Sequence, residues 1–358
     1  MSSLKSTALE QDFGEVEGTG WPRIWQILSR ALPVYGLLIL TVLLIILFSF
    51  MLPRTFPTLL NLRAILGDKS IIALLALAAV APMIAGKIDL SIGYGIALWH
   101  ILVIGLQVRL GVPWPVAVLI VLGLSIGLGV ANGLLVELAQ IDAFIATLGT
   151  GTVIYAISLW YTDGRQVVGE LPDGFLAINA TNVLGLPISA FYLLLITIIL
   201  WLATEYLPIG RYLYAIGANP RAAALNGIPT RKYVIGAFMA SGFLAGLAGI
   251  ILASKLRIGQ ASVGLEFLLP ALVGAFLGST TIRPGRVNVW GAIVGVAILA
   301  VGISGIQQFG TAFYVEPLFN GLTLIIAIGI ASYTGRRGAS SRAKEVKTTT
   351  ESIEAANT

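Results

Sequence analysis

The chain has 358 residues, 57% hydrophobic and only 11% charged, where an ordinary soluble domain carries about 25% charged residues. That composition excludes a soluble globule and an intrinsically disordered chain, and the absence of cysteine with a single histidine excludes disulfide scaffolds, thiol nucleophiles and histidine-based metal clusters. The net charge of +5 is small and is accounted for by loop placement, so no nucleic acid is needed as a partner; the class that remains is an all-α polytopic membrane protein.

Residues 1–30 are polar and mixed in charge, without the basic n-region and cleavage site of a signal peptide, and read as a cytoplasmic tail. A spanning helix needs about 20 mostly apolar residues, and 33–51 supplies the first. The following segment, RTFPTLLNLRAILGDK, places Leu59, Leu62, Ile65 and Leu66 on one face and reads as an interfacial amphipathic helix. Further spans are expected at 69–86, 92–110, 115–138, 143–161, 189–207, 231–254, 262–281, 287–309 and 315–333, which makes about ten transmembrane helices. The longest polar interval is 162–188, too short to fold alone. Residues 335–358 are polar, basic at first, and read as a disordered cytoplasmic tail, leaving one membrane domain over 31–334. These runs are too long and too uniformly apolar for barrel strands. With the N-terminus inside, 14 Lys and Arg residues fall on the cytoplasmic side and 7 outside, which puts both termini in the cytoplasm. Glycines stand four apart in Gly129/Gly133, Gly242/Gly246, Gly274/Gly278 and Gly291/Gly295, a spacing that lets helix backbones approach closely.

The chain holds no GxxxxGK[ST] phosphate loop and no HExxH, so neither ATP hydrolysis nor metal chemistry is expected on it: no catalytic residue, no metal, no cofactor. Seven ionisable residues lie near or within spans. Glu137, Asp142 and Glu205 fall at cytoplasmic span ends and read as interfacial. Glu266, near the outer end of the eighth span, reads as snorkelling to the interface, with a vestibule role as the alternative, and His100 reads as a packing histidine rather than a pH sensor or ligand contact. Asp89, in AGKIDLSIG, precedes a helix, so its carboxylate or the Ser91 hydroxyl caps the third span, or else meets a solute directly. Lys87 is two residues from Asp89 and is a candidate partner for it. Asn132 is expected to hydrogen-bond to a neighbouring helix, while Thr147 and Thr150 can return their hydroxyls to their own helix. Asp89, Ser91, Asn132 and Thr147 are the candidates for a solute pathway.

The segment 208–230, PIGRYLYAIGANPRAAALNGIPT, faces the cytoplasm. Pro208 and Gly210 end the sixth span. Asn219 caps a short helix with Pro220 as its first residue, Arg221 to Asn226 forms a turn or two, and Gly227 and Pro229 close it. A short rigid helix of small residues suits docking into a groove of a partner.

Five stretches in order, GKIDLSIG (86–93), NGLLVELAQIDAFIATLGT (132–150), GRYLYAIGANPRAAALNGI (210–228), SGFLAGLAGIILASKLR (241–257) and LGSTTIRPGRVNVWGAIVG (277–295), resemble the integral membrane permeases of ATP-binding-cassette sugar importers, of the ribose, xylose, arabinose and galactose type. The resemblance covers about 33–333. It implies an inner-membrane permease in a transporter with a second permease copy or related chain, an ATPase subunit and a periplasmic solute-binding protein. ATP and Mg would sit on the ATPase, and surrounding lipid would be the remaining partner. It carries an ATPase-coupling role onto Gly217, Asn219, Pro220, Arg221, Ala223 and Gly227. Two positions depart from the family pattern: Gly86-Lys87 where Gly-Gly is usual, and Arg283-Pro284-Gly285-Arg286 where a glycine-rich turn is usual. The alternative function is an ion-coupled secondary transporter, which requires acidic residues at mid-depth, and the bundle centre here is nearly uncharged.

Overall fold

A computed structural model describes residues 21–310, 314–323 and 325, with side-chain burial given from Val34 onward. Twelve α-helices follow in chain order: α1 Trp21–Met51, α2 Leu59–Ile84, α3 Ser91–Leu110, α4 Trp114–Glu137, α5 Ala143–Thr162, α6 Asp173–Ala180, α7 Ile188–Glu205, α8 Pro208–Ala218, α9 Pro220–Leu225, α10 Thr230–Leu256, α11 Gly264–Gly278 and α12 Val289–Gln308. A further helical segment occupies 315–323. Nine helical stretches among the described residues are long and apolar enough to cross a membrane, and they coincide with the first nine expected spans. The tenth, 315–333, lies partly outside the described residues and the tail 335–358 wholly outside them; of the expected tail 1–30, residues 1–20 lie outside them and 21–30 are the opening turns of α1 rather than tail. The one sheet among the described residues is a two-stranded ribbon in the 162–188 interval, Asn182 opposite Pro187.

The burial gradient runs outward from a central layer. Over their most apolar 18 residues, α2, α3, α10 and α12 are about two-thirds or more buried, against a third or less for α1, α4, α5 and α7. The outer helices turn large apolar side chains to the surroundings, among them Ile46, Phe50, Leu119 and Leu195. An exterior this apolar is a surface for hydrocarbon, not water.

All eight paired glycines lie at two helix crossings. On α4, a Cβ at Gly129 would collide with the Phe238 carbonyl, and one at Gly133 would lie 2.8 Å from the Cα of Ile235; on α10, Gly242 and Gly246 abut Ser125. On α11, Gly274 and Gly278 face Val296 and Ala292, while Gly291 and Gly295 of α12 abut the carbonyls of Gly278 and Gly274. Backbones therefore meet backbones at α4/α10 and α11/α12, where dispersion contacts replace the hydrophobic effect that lipid does not supply.

Two local expectations change. The 54–69 segment is not a separate interfacial helix. Thr58 caps Leu59 onward by accepting the Asn61 N–H at 3.2 Å, so Leu59 to Leu66 are the opening turns of one 26-residue helix, α2. The amphipathic face is real, but nothing between Leu66 and Ser70 breaks the helix. Lys87 does not reach Asp89; its ammonium lies 3.9 Å from Glu137.

The α10–α11 connection dips into the bundle. The backbone N–H of Gln260 donates to His100 Nε2 at 3.0 Å, and His100 Nδ1 lies 3.1 Å from the Ile96 carbonyl. Since Nε2 accepts, Nδ1 carries the proton and donates to Ile96. His100 thus ties this connection to the middle of α3. Gly264, the first residue of α11, abuts the Gly93 carbonyl and Ala97, so α11 starts inside the bundle rather than at its outer surface.

Candidate functional site

The cytoplasmic segment is built on a sharp reversal. A Cβ at Gly210 would overlap the Thr204 carbonyl, so only glycine lets α8 fold back against the end of α7. Helix α8 is amphipathic, burying Gly210, Leu213 and Ile216. Its Gly217 presses on the Ile84 carbonyl at the end of α2, and its Cα lies 3.5 Å from where a Cβ on Gly86 would stand. Gly86 itself needs a positive φ, 74°, which is why glycine stands before Lys87. Asn219 then caps α9, accepting the Ala222 N–H at 3.0 Å, and Gly227 closes the turn at φ 79°. Only Ala223 of α9 is buried, while Leu225 stands 88% exposed at the tip.

Two contacts tie this segment to the departing turn at 283–286. The Arg286 guanidinium lies 3.3 Å from the centroid of the Tyr214 ring, and the Tyr214 hydroxyl donates to the Val287 carbonyl at 2.8 Å. Burial raises the Tyr214 pKa above its ordinary 10.0, partly opposed by Arg286. Arg283 pairs with Glu205. The turn is closed by Asn288, whose Nδ2 faces the carbonyls of Gly278, Thr281 and Arg286 at 3.0–3.1 Å. Its Oδ1 accepts the Gly291 N–H at 2.7 Å to start α12. Helix α8 and Asn288 were not among the expected features. The apolar period of 208–218 is the signal for α8, and Asn288 is a helix cap one residue before an apolar run.

The four pathway candidates do come together. Asp89 Oδ1 accepts from the Ser91 N–H at 2.9 Å and the Ser91 hydroxyl at 2.6 Å, and Oδ2 accepts from Ser241 at 2.8 Å. Asn132 Nδ2 donates to Ser91 Oγ at 2.8 Å, and Asn132 Oδ1 accepts from Thr150 at 2.7 Å. Thr147 accepts the Leu90 N–H at 3.0 Å and donates to the Ala143 carbonyl at 2.7 Å. Asp89, Ser91, Asn132 and Thr147 are each 3% exposed or less. This cluster pins the α2–α3 connection to α4, α5 and α10, and neither of the two helix-lined cavities below includes any of its members. Ser241 was not foreseen, because a serine in an Ala/Gly-rich helix is a routine backbone bonder. Of the interfacial acids, Asp142 caps α5 through Phe144 N at 3.0 Å, and Glu137 and Glu205 hold the two ion pairs already named.

Among the described residues, two cavities lie between helices. One, of about 440 Å³, is apolar, lies between α2, α7 and α10 above α8, and is lined by Val80, Leu200, Leu213 and Ala237 with Lys232. The other, of about 710 Å³, is on the outer side and is lined by Asp68, Lys69, Lys255, Glu266, Pro270, Glu316 and Asn320. Contacts group by side throughout: Lys69–Glu316 and Lys255–Asp68 join segments assigned outside, and Arg283–Glu205 and Lys87–Glu137 join segments assigned inside.

Residues 61–330 match the family model described as branched-chain amino acid transport system, permease component. The ribose import permease of Bacillus subtilis is 35% identical over 304 residues, covering 84% of this chain and 92% of that protein. The autoinducer 2 import system permease of Enterobacter sp. is 31% identical over 309 residues, 82% and 90%, and the D-allose transport system permease of Escherichia coli is 28% identical over 298 residues, 83% and 90%. No solved structure matches the chain.

Proposed function

The chain belongs to the branched-chain amino acid transport system permease-component family, a multi-pass inner-membrane permease of ATP-binding-cassette import, and on that premise we propose that it takes up a monosaccharide or a similar small polar solute. The ribose and allose named for its relatives supply the substrate class. We further propose that ATP and Mg bind a separate ATPase subunit docked at Gly217, Asn219, Pro220, Arg221, Ala223 and Gly227, that a second permease copy or related chain completes the pathway, and that a periplasmic binding protein delivers the solute. The observation that carries the docking reading is α9 itself: a capped helix with only Ala223 buried and Ala222, Ala224 and Leu225 exposed, on a segment whose Gly217 abuts the end of α2. One buried alanine gives this helix little packing of its own. Against ion coupling, Asp89 is the one buried carboxylate among the described residues, and three hydrogen bonds occupy it.

Co-purification from native membranes in mild detergent tests the docking. The unaltered chain should retain a phosphate-loop ATPase. Leu225→Glu together with Ala224→Arg abolishes that retention while the chain stays inserted and elutes as folded protein. Full retention by this variant would remove α9 from the interface.

A further inference from the structure

We propose that the outer cavity is a binding chamber for a neutral polyhydroxylated solute, with Glu266, the Glu266 main-chain carbonyl and Asn320 as its hydrogen-bond acceptors; this rests on the uptake function proposed above and names the site it uses. The cavity owes its shape to α11. Because that helix begins beside Gly93 and Ala97, no helix from this connection fills the space above it, and about 710 Å³ stays open between α2, the end of α10, α11 and the 315–323 segment. That volume falls within the range of small-molecule sites.

Three observations give the chamber its chemistry. Glu266 sits in the first turn of α11, below the outer surface, is exposed, and lines the cavity. An ionisable side chain at that depth is tolerated where it faces a water-filled space. Pro270 lies inside α11 and lines the same cavity. Having no N–H, it cannot donate to the carbonyl of Glu266 four residues earlier, so the helix offers an acceptor it would otherwise consume. Asn320 also lines the cavity; it is 3% exposed, and its Oδ1 is buried with no hydrogen-bond partner among the described residues. A buried unpaired amide oxygen is costly until something donates to it.

Apart from the Asn320 amide N–H groups, the polar groups left over are therefore acceptors. The lysines are engaged, Lys69 with Glu316 at 3.1 Å and Lys255 with Asp68. The charges nearly balance, with three carboxylates against two ammonium groups, so neither a strong anion nor a strong cation is called for. Hydroxyl groups satisfy free acceptors without adding charge, and Phe267, Leu269 and Ile72 give an apolar wall for the ring face of a sugar.

The chain has no cysteine, so single reporters can be placed without background. Cells carrying the complete transporter are first offered labelled D-ribose, D-allose and autoinducer 2, to identify the compound taken up. Leu265→Cys and Leu269→Cys, both partly exposed on the chamber wall, and Leu184→Cys, 92% exposed on the outer loop, are then treated with a membrane-impermeant thiol reagent. The transported compound should slow labelling of a wall reporter that retains uptake at least about threefold and leave Leu184→Cys unchanged. Asn320→Leu and Glu266→Leu should each lower uptake by about tenfold at equal membrane content, the loss expected when one good hydrogen bond to a solute disappears. Uptake with unprotected reporters and unimpaired variants would overturn the chamber and leave the transport function standing. Uptake of none of the three compounds would overturn the substrate reading, and the chamber with it.

Discussion

Replacing Asp89 separates a structural role from contact with a solute. Its carboxylate accepts three hydrogen bonds, from the Ser91 N–H, the Ser91 hydroxyl and Ser241, and it is 1% exposed. Side-chain hydrogen bonds inside membrane proteins contribute about 0.6 kcal/mol on average and up to about 1.7 kcal/mol. Asp89→Leu removes three and strands the buried Ser91 N–H, for a total cost of roughly 2–5 kcal/mol. Asp89→Asn keeps one oxygen for both Ser91 donors and turns its amide toward Ser241 Oγ, which can accept, so its cost is about 1 kcal/mol. The assay is heat-induced unfolding in detergent, followed by size-exclusion chromatography, alongside uptake at matched expression. Asp89→Leu should lower the unfolding temperature by on the order of 5–10 °C, Asp89→Asn by a few degrees, and uptake should fall in step with folded protein. An Asp89→Asn variant that unfolds like the unaltered chain but takes up no solute would refute this reasoning and put Asp89 in contact with the solute.

Two further outcomes follow from the same geometry. Gly129→Leu or Gly291→Leu forces a side chain into the Phe238 or Gly278 carbonyl and should cost about 3 kcal/mol or more, seen as loss of the folded peak, whereas Gly123→Leu and Gly127→Leu, with nothing within 4 Å, should leave it intact. The raised pKa of Tyr214 means that the unfolded chain ionises first. Its contribution to stability is therefore complete below about pH 10 and falls as pH rises toward the folded pKa, so an alkaline drop in unfolding temperature is expected that Tyr214→Phe reduces, at a cost of about 1 kcal/mol at neutral pH.

The spans could be read from the sequence because hydrocarbon imposes one rule on every residue facing it, and a run of 20 apolar residues has few other uses. The glycine pairs could be read for the same reason, since a four-residue spacing puts both on one helix face. Helix α9 was legible from Asn219-Pro220, a cap and first-turn pair that acts locally. Helix α8 was overlooked because Gly210 and Gly217 among its eleven residues look like loop breakers and mask the apolar period of 208–218. The polar cluster was half legible: Asp89, Ser91, Asn132 and Thr147 stand out as polar atoms among apolar ones, but their mutual bonds span up to 152 positions with Ser241. Of the outer cavity only Glu266 stood out in the sequence, since its walls come from residues as distant as Asp68 and Asn320.

The meeting of Gly217 with the end of α2 has a mechanical consequence. Side chains at an interface yield by changing rotamer, and absorb a displacement of an ångström or so. Between Gly217 and the Ile84 carbonyl there is only backbone, so the joint has no such slack. Helix α2 is continuous for 26 residues from Leu59 to Ile84, with Pro82 in its last turn, about 39 Å at the usual rise, and its outer turns supply Asp68, Lys69 and Ile72 to the wall of the outer cavity. A thrust delivered to α8 from the cytoplasm is thereby applied to a stiff rod whose far end borders the opposite face of the membrane, and the two sides are joined by one covalently continuous strut instead of a relay of repacking side chains.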